Sequence, residues 1–296
     1  MLNWRRLSLA CFVLVALNAC SPSQPTPPKK IENTSNPKVP FEGKLPKVDH
    51  IVIVVEENHG QEQIIGNSSA PYMNFLMSQG ANLTNYHAIE HPSQPNYLDL
   101  FSGSNQNVTD DEVPKGKFLE ENLASELIEK NLTFAGYSED LPKVGFDGPY
   151  HENYARKHAP WTNFTNVPKD ANQPLKNFPT DYSQLPTVSF VIPNVQNDMH
   201  DGSIKKADQW LEQHLDPYVQ WAKENNSLLI VTWDEDDDEH NNKIPTFLVG
   251  PMVNTGEYNE KLNHFNLLRT LEELYGLNHA GKSESVEPIT SIWKSS

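Results

Sequence analysis

The chain has 296 residues, with 39 acidic side chains against 23 Lys and Arg, and a formal charge of −16 at pH 7. So acidic a balance argues against nucleic acid or an anionic membrane surface as a partner, and any phosphorylated ligand must be held by local cations. The two cysteines, Cys11 and Cys20, both lie near the start, so the rest of the chain has neither a disulfide nor a thiolate metal centre and must be held by its core.

In chain order, Arg5 and Arg6 precede the apolar stretch Leu7–Leu17, the pattern of an export signal and too short to span a bilayer. It ends in Leu17-Asn18-Ala19-Cys20, which resembles the bacterial lipobox. On that reading residues 1–19 are a cleaved signal and Cys20 is the lipidated first residue of the mature protein; ordinary cleavage nearby is the other reading. Loss of the signal removes two arginines and no acids and takes the charge to −18. Residues 21–46 contain seven prolines and no apolar period, so residues 20–46 are expected to be an extended tether. The expected protein is exported to the cell envelope, meets the membrane only through the lipid at the outer membrane or periplasmic face, or is partly secreted, and carries one folded domain over 47–296.

Within that domain, Ile51–Val55 is a β-branched run of the kind buried on both faces of a parallel sheet. Ala70–Gln79 is predicted helical, with Tyr72, Phe75 and Leu76 on its inner face and Gly80 as its stop. Asn82–Tyr86 reads as a short strand. A helix opens at Ser93, with Ser93 as N-cap and Pro95 in the first turn, and runs to Phe101. Phe118–Lys130 is a predicted helix and Leu132–Tyr137 a strand, followed by an irregular stretch, rich in Pro, Asn and aromatics, to about Pro186. Val188–Ile192 and Leu228–Trp233 are buried strands on either side of a helix at Ile204–Asn225. Ile244–Val249 and a helix at Phe265–Tyr275 close the domain. The alternation implies an α/β sandwich with a mostly parallel sheet, whose site should lie outside the carboxyl ends of the strands.

Chemistry-bearing residues collect at those ends. The first strand runs into Glu56-Glu57-Asn58-His59, and the strand from Leu228 runs into the acidic run Asp234–Glu239. Two polar pairs delivered from two strands can give four oxygen ligands to one hard cation. Asp234 and Glu235 lie next to the buried strand, whereas Asp236–Glu239 are expected to be solvated, and the run has neither the glycine nor the flanking helices of an EF-hand. Ser93, in His91–Tyr97, stands where a helix N-terminus would favour a bound phosphoryl group, although a serine there is more often a plain cap. His151, His158 and His200 form a third group; a histidine can protonate a leaving alkoxide or clamp a phosphate oxygen. His214, His240 and His279 are expected to be ordinary polar residues.

These motifs together resemble a family: the bacterial phosphoesterases that include secreted acid phosphatases and phospholipases C, related to the alkaline phosphatase superfamily. The resemblance covers about Asp49 to Trp293 and rests on Ile51–Asn58, His91–Tyr97, Tyr154–Pro160, Pro193–Gly202, Thr232–Glu235 and His264–Thr270. It implies a three-layer α/β sandwich with a mostly parallel central sheet, like that of alkaline phosphatase. It further implies one divalent metal ion (Ca, Mg, Mn or Zn) on Glu57, Asn58, Asp234 and Glu235, and Ser93 as the nucleophile at that metal. His158 and His200 would face the phosphate and leaving group, with His91, Asn96 and Asp201 binding substrate. Ser93-Gln94-Pro95-Asn96 also resembles the Thr-x-Pro-Asn run that carries the nucleophile in nucleotide pyrophosphatases. Where the phospholipase members follow Glu-Asn with Arg-Ser-Phe, this chain has His59-Gly60-Gln61, closer to the short acid phosphatases. The expected activity is therefore that of a metal-dependent acid phosphatase forming a phosphoserine. A phospholipase C or other phosphodiesterase, and a non-catalytic cation- or phosphate-binding lipoprotein, are the alternatives.

Overall fold

The computed structural model describes residues 38–295. The expected export signal, Cys20 and the expected tether up to residue 37 lie outside the described residues. Twelve strands are present among the described residues: β1 (Ile51–Glu56), β2 (Ala81–Leu83), β3 (Tyr86–His87), β4 (Phe134–Ser138), β5 (Tyr150–His151), β6 (Tyr154–Ala155), β7 (Asn172–Pro174), β8 (Val188–Ile192), β9 (Leu228–Trp233), β10 (Thr246–Val249), β11 (Gly256–Tyr258) and β12 (Leu262–Asn263). The α-helices are α1 (Gln61–Ile64), α2 (Pro71–Gln79), α3 (Ser93–Ser102), α4 (Leu123–Glu129), α5 (Ile204–Ala222) and α6 (His264–Tyr275).

Eight strands form one sheet in the order β11-β2-β10-β9-β1-β8-β4-β7, with two short ladders, β3–β12 and β5–β6, beside it. β1 pairs in parallel with β8 and β9, so Ile53 stands opposite both Phe190 and Ile230. Every residue of these three strands is buried, which is why their sequences read as nearly continuous apolar runs. β10 alone is reversed, antiparallel to β9 and to β2. Helices pack as two groups, α2 with α5 and α3 with α4 and α6, completing an α/β sandwich with a mostly parallel central sheet.

Several element boundaries differ from expectation, each for a local reason. α4 begins at Leu123, not Phe118, because Asn122 and Ser125 exchange hydrogen bonds at 3.0 Å as a reciprocal cap. Phe118 instead pairs with the chain near Phe164. α5 continues through Pro217 and ends at Ala222. Asn82–Tyr86 is not one strand: β2 joins the large sheet and β3 the small one. On α2 the inner face is Tyr72, Met73, Leu76 and Met77, and Phe75 is 45% exposed. Gly80 is extended, not left-handed; a Cβ there would lie 2.0 Å from the Leu248 carbonyl oxygen, so close approach to β10 is what demands glycine.

The irregular stretch after β4 is tied down by aromatic packing. Trp161 is buried against Phe101, Phe134 and Phe190. Gly136 in β4 leaves room for its indole: a Cβ there would lie 2.1 Å from the ring. This anchor fixes the turn Arg156–His158 beside α3.

Candidate active site

The parallel strands deliver their carboxyl ends to one place. β1 hands over Glu57 and Asn58, β9 hands over Asp234 and Glu235, and the segment after β8 brings Asp198, His200 and Asp201. Asn58 is left-handed, φ 55°, a conformation asparagine tolerates, and its N–H donates to Asp234 Oδ1 at 3.2 Å. The same oxygen accepts from Glu235 N at 2.7 Å. Beneath, buried His264 donates from Nε2 to the Asp234 carbonyl at 3.0 Å and accepts at Nδ1 from the Tyr86 hydroxyl at 3.2 Å. Burial holds its pKa down near 4, so it stays neutral and serves as a prop.

Ser93 is not the N-cap. Pro92 occupies that position, no side chain caps the helix, and Ser93 is the first helical residue. Its hydroxyl lies 3.1 Å from Glu57 Oε2, 3.2 Å from Glu235 Oε1 and 3.3 Å from Lys157 Nζ. One hydroxyl proton cannot serve two carboxylates, so one of the two oxygen contacts needs a proton or a cation to be favourable.

The charge surrounding Ser93 points the same way. Burial first, and then repulsion from Glu57, raises Glu235 to about 8; burial with Glu57 and Glu235 raises Asp234 well above the usual carboxylate range. Burial would raise Glu57 as well, but His158 and Lys157 hold it at about 2. Asp234 Oδ2 is buried with no hydrogen-bond partner. These residues fit a hard cation: oxygen donors on two strand ends, an orphaned carboxylate oxygen, and repulsion that a positive ion would relieve.

His158 is buried, stacked on Tyr97 with ring centroids 5.1 Å apart. Its Nε2 lies 2.9 Å from Glu57 Oε1 and its Nδ1 3.4 Å from Asp198 Oδ2. Glu57, His158 and Asp198 thus make a buried cluster compatible with a metal site. Burial alone would lower His158, yet Glu57 and Asp198 raise it to about 9, the state of an imidazolium between two carboxylates. His200 is 30% exposed; its Nδ1 lies 2.8 Å from Asp201 Oδ1 and its Nε2 3.3 Å from Lys157 Nζ. His200 and Asp201 line a cleft of about 320 Å³ with Asp111, Tyr150, Asn153 and Lys157.

The remaining expected residues are placed as follows. His91 Nδ1 lies 2.9 Å from Glu235 Oε2, with Nε2 3.3 Å from Asp236 Oδ1. Asn96 is fully buried, accepting from Ile89 N and Glu90 N and donating to Glu90 O, so its amide ties the turn before α3. His151 bonds to the Asp140 carbonyl, outside the Ser93 cluster. Asp236 is not solvated: it is buried and accepts from the N–H groups of Asp238, His240 and Asn242.

Two residues escaped the sequence reading. Lys157 bridges Ser93, His200 and Asp111, the last at 2.8 Å, and Asp111 also accepts from Gln94 N at 3.0 Å. Lys157 sits inside the Tyr154–Pro160 motif, which was the available signal; Asp111 lies in a polar loop and had none.

Residues 67–278 match the model of the Phosphoesterase family. The chain is 51% identical over 251 residues to the phosphatidylinositol-3-phosphatase of Mycobacterium tuberculosis, covering 84% of each chain. It is 32% identical over 227 residues to the phosphate-repressible acid phosphatase of Penicillium chrysogenum, covering 70% of this chain and 55% of that longer one. A crystal structure of an alkaline phosphatase superfamily protein from Vibrio parahaemolyticus superposes with a TM-score of 0.61 at 13% identity, over 82% of this chain and 69% of that one. With the strand-end site and a match over most of the domain, the chain belongs to the Phosphoesterase family and is a phosphoric ester hydrolase on an alkaline-phosphatase-like fold.

Proposed function

We propose that the protein is a metal-dependent phosphomonoesterase in which Ser93 is the nucleophile. The observation that carries this reading is the Ser93 hydroxyl, at the start of α3, held between Glu57, Glu235 and Lys157. Glu57, Asn58, Asp234 and Glu235 would hold one divalent cation, which supplies positive charge to the phosphoryl oxygens. Ser93 loses its proton to solvent or a neighbouring group, and its oxygen attacks phosphorus in line while the ester bond to the leaving oxygen breaks. The Lys157 ammonium, 3.3 Å from the Ser93 hydroxyl, faces the charge that develops on the phosphoryl group. His200, oriented by Asp201, donates a proton to the departing alkoxide, and water then hydrolyses the phosphoserine by the reverse geometry. Buried His158 holds Glu57 and Asp198 in place.

Because a protonated side chain must supply the leaving group's proton, turnover should be greater in acid than in alkali. A profile that climbs steadily into alkali would contradict this assignment. The proposed substrates are phosphate monoesters, with a phosphoinositide 3-phosphate first, after the name of the mycobacterial relative. Release of phosphate from p-nitrophenyl phosphate, abolished by Ser93→Ala and by a chelator, tests the proposal. Preference for p-nitrophenylphosphorylcholine would favour a phosphodiesterase instead, and no turnover of either would favour a binding protein. We also propose export and lipidation at Cys20; incorporation of labelled palmitate, lost in Cys20→Ala, is the check.

A further inference from the structure

Just beyond the turn that carries Lys157 and His158 there is a second concavity, sharing no lining residue with the cleft lined by Lys157 and His200. It is a cavity of about 250 Å³ with walls of Phe146, Trp161, Phe164, Val167 and Pro168. Lys117 and Lys169 also line it. Arg156 stands at its edge: its Nη2 donates to Asn163 Oδ1 at 2.6 Å and lies 3.4 Å from the Thr162 carbonyl, and Lys117 Nζ donates to that same carbonyl. Thr162 is itself a lining residue.

These cations are unpaired. Among the described residues the ion pairs of Lys and Arg are Lys38–Glu284, Lys157–Asp111 and Arg269–Glu273, and none involves Lys117, Arg156 or Lys169. Arg156 is 3% exposed, and its Nε and Nη1 have no hydrogen-bond partner. A buried guanidinium with open donors costs free energy unless something fills them. Burial, together with Arg156 and Lys169, lowers the Lys117 pKa, as crowding of like charge would, while Asp147 alone opposes it among the lining groups. Lys117 and Lys169 are exposed and only Arg156 is buried, but three cations gathered with Asp147 as the one lining acid, in a chain carrying 39 acids to 23 bases, suit an external anion.

We propose that this cavity is a binding site for a small single-headed amphiphile: a carboxylate or phosphonate-like head on the Lys117–Arg156–Lys169 side and an aliphatic tail against Phe146, Trp161 and Phe164. Apolar walls with a few convergent polar groups are the usual make-up of a ligand pocket, and the volume suits a medium chain better than a whole phospholipid.

The test is calorimetric titration of the Ser93→Ala protein, in excess inorganic phosphate to occupy the proposed phosphate-ester site, with decanoate, decylphosphonate and decanol. Decanoate or decylphosphonate should bind saturably at one site per chain, with decanol at least tenfold weaker. Lys117→Gln with Lys169→Gln should weaken anion binding about tenfold, the effect of two exposed charge contacts. Val167→Trp, which fills the cavity, should abolish it; circular dichroism confirms that both variants are folded, and one folded variant suffices to judge. No saturable binding of either anion, equal binding of decanol, or binding untouched in a folded variant would overturn the proposal. Because binding is read without turnover, its failure leaves the phosphatase reading standing, and failure of that reading leaves this one standing.

Discussion

At the scale of single residues, the Ser93 hydroxyl meets two carboxylates and one ammonium. Ser93→Ala should reduce kcat by about 10³-fold or more and abolish a phosphoenzyme trapped by acid quench. Loss of Lys157, whose ammonium is the positive group nearest Ser93 Oγ, should reduce kcat/KM roughly 10²-fold in Lys157→Met, with partial recovery in Lys157→Arg. An unchanged kcat/KM in a folded Lys157→Met protein would assign the lysine to holding Asp111 alone. Much of this site was legible: Glu57, Asn58, Asp234 and Glu235 follow apolar runs, and a strand followed by polar residues marks a strand end. What could not be read was pairing across the chain. Asn96 carries the same side chain wherever it points, and only the structure shows its amide tied both to the turn before α3 and, at 3.4 Å, to Glu235 Oε2. Likewise Asp236 looks like its acidic neighbours until three N–H groups are seen to point at it.

At the scale of elements, the turn carrying Lys157 and His158 depends on Trp161, and Trp161 depends on Gly136. Gly136→Ala should therefore cost about 1–3 kcal/mol by overpacking and lower kcat as the turn shifts, readable in a denaturant melt and an assay on the same sample. Asn122→Ala removes the α4 cap and should cost about 1 kcal/mol with activity intact. Strands β1, β8 and β9 were legible to within a residue because burial on both faces leaves almost only apolar side chains, with Glu56, Ser189 and Thr232 the exceptions. The start of α4 was not, because Phe118–Glu121 fits a helical period as well as a loop, and the Asn122–Ser125 exchange outweighs that period. The 140–186 stretch is held by rings meeting across distant segments, a pattern without period.

At the scale of the whole molecule, the carboxyl groups determine how stability responds to pH and ions. Glu126 in α4 and Glu272 in α6 are buried away from Ser93. Burial, with Glu272 adding, raises Glu126 to about 9, and burial raises Glu272 to about 8. The folded state thus keeps protons that the unfolded chain sheds above its ordinary carboxylate pKa near 4.5. Stability should fall as pH rises from there towards 8–9 and level off beyond, and Glu126→Gln should flatten that slope in a series of melts. A cation bound only by the folded chain should raise Tm, and Asp234→Asn should make Tm insensitive to a chelator. The reversed strand β10 has a different bearing. Since it lies beside β9 and runs back, the chain between Asp234 and Pro245 leaves and re-enters the sheet on neighbouring strands, as a hairpin loop does. Inserted residues at its exposed tip, between Asp238 and Glu239, need no repair of the sheet. The rim of the site can therefore lengthen at that tip without change to the strands beneath it, so long as the Asp238, His240 and Asn242 N–H groups still reach Asp236, and this loop is the natural place for a graft that alters which esters are admitted.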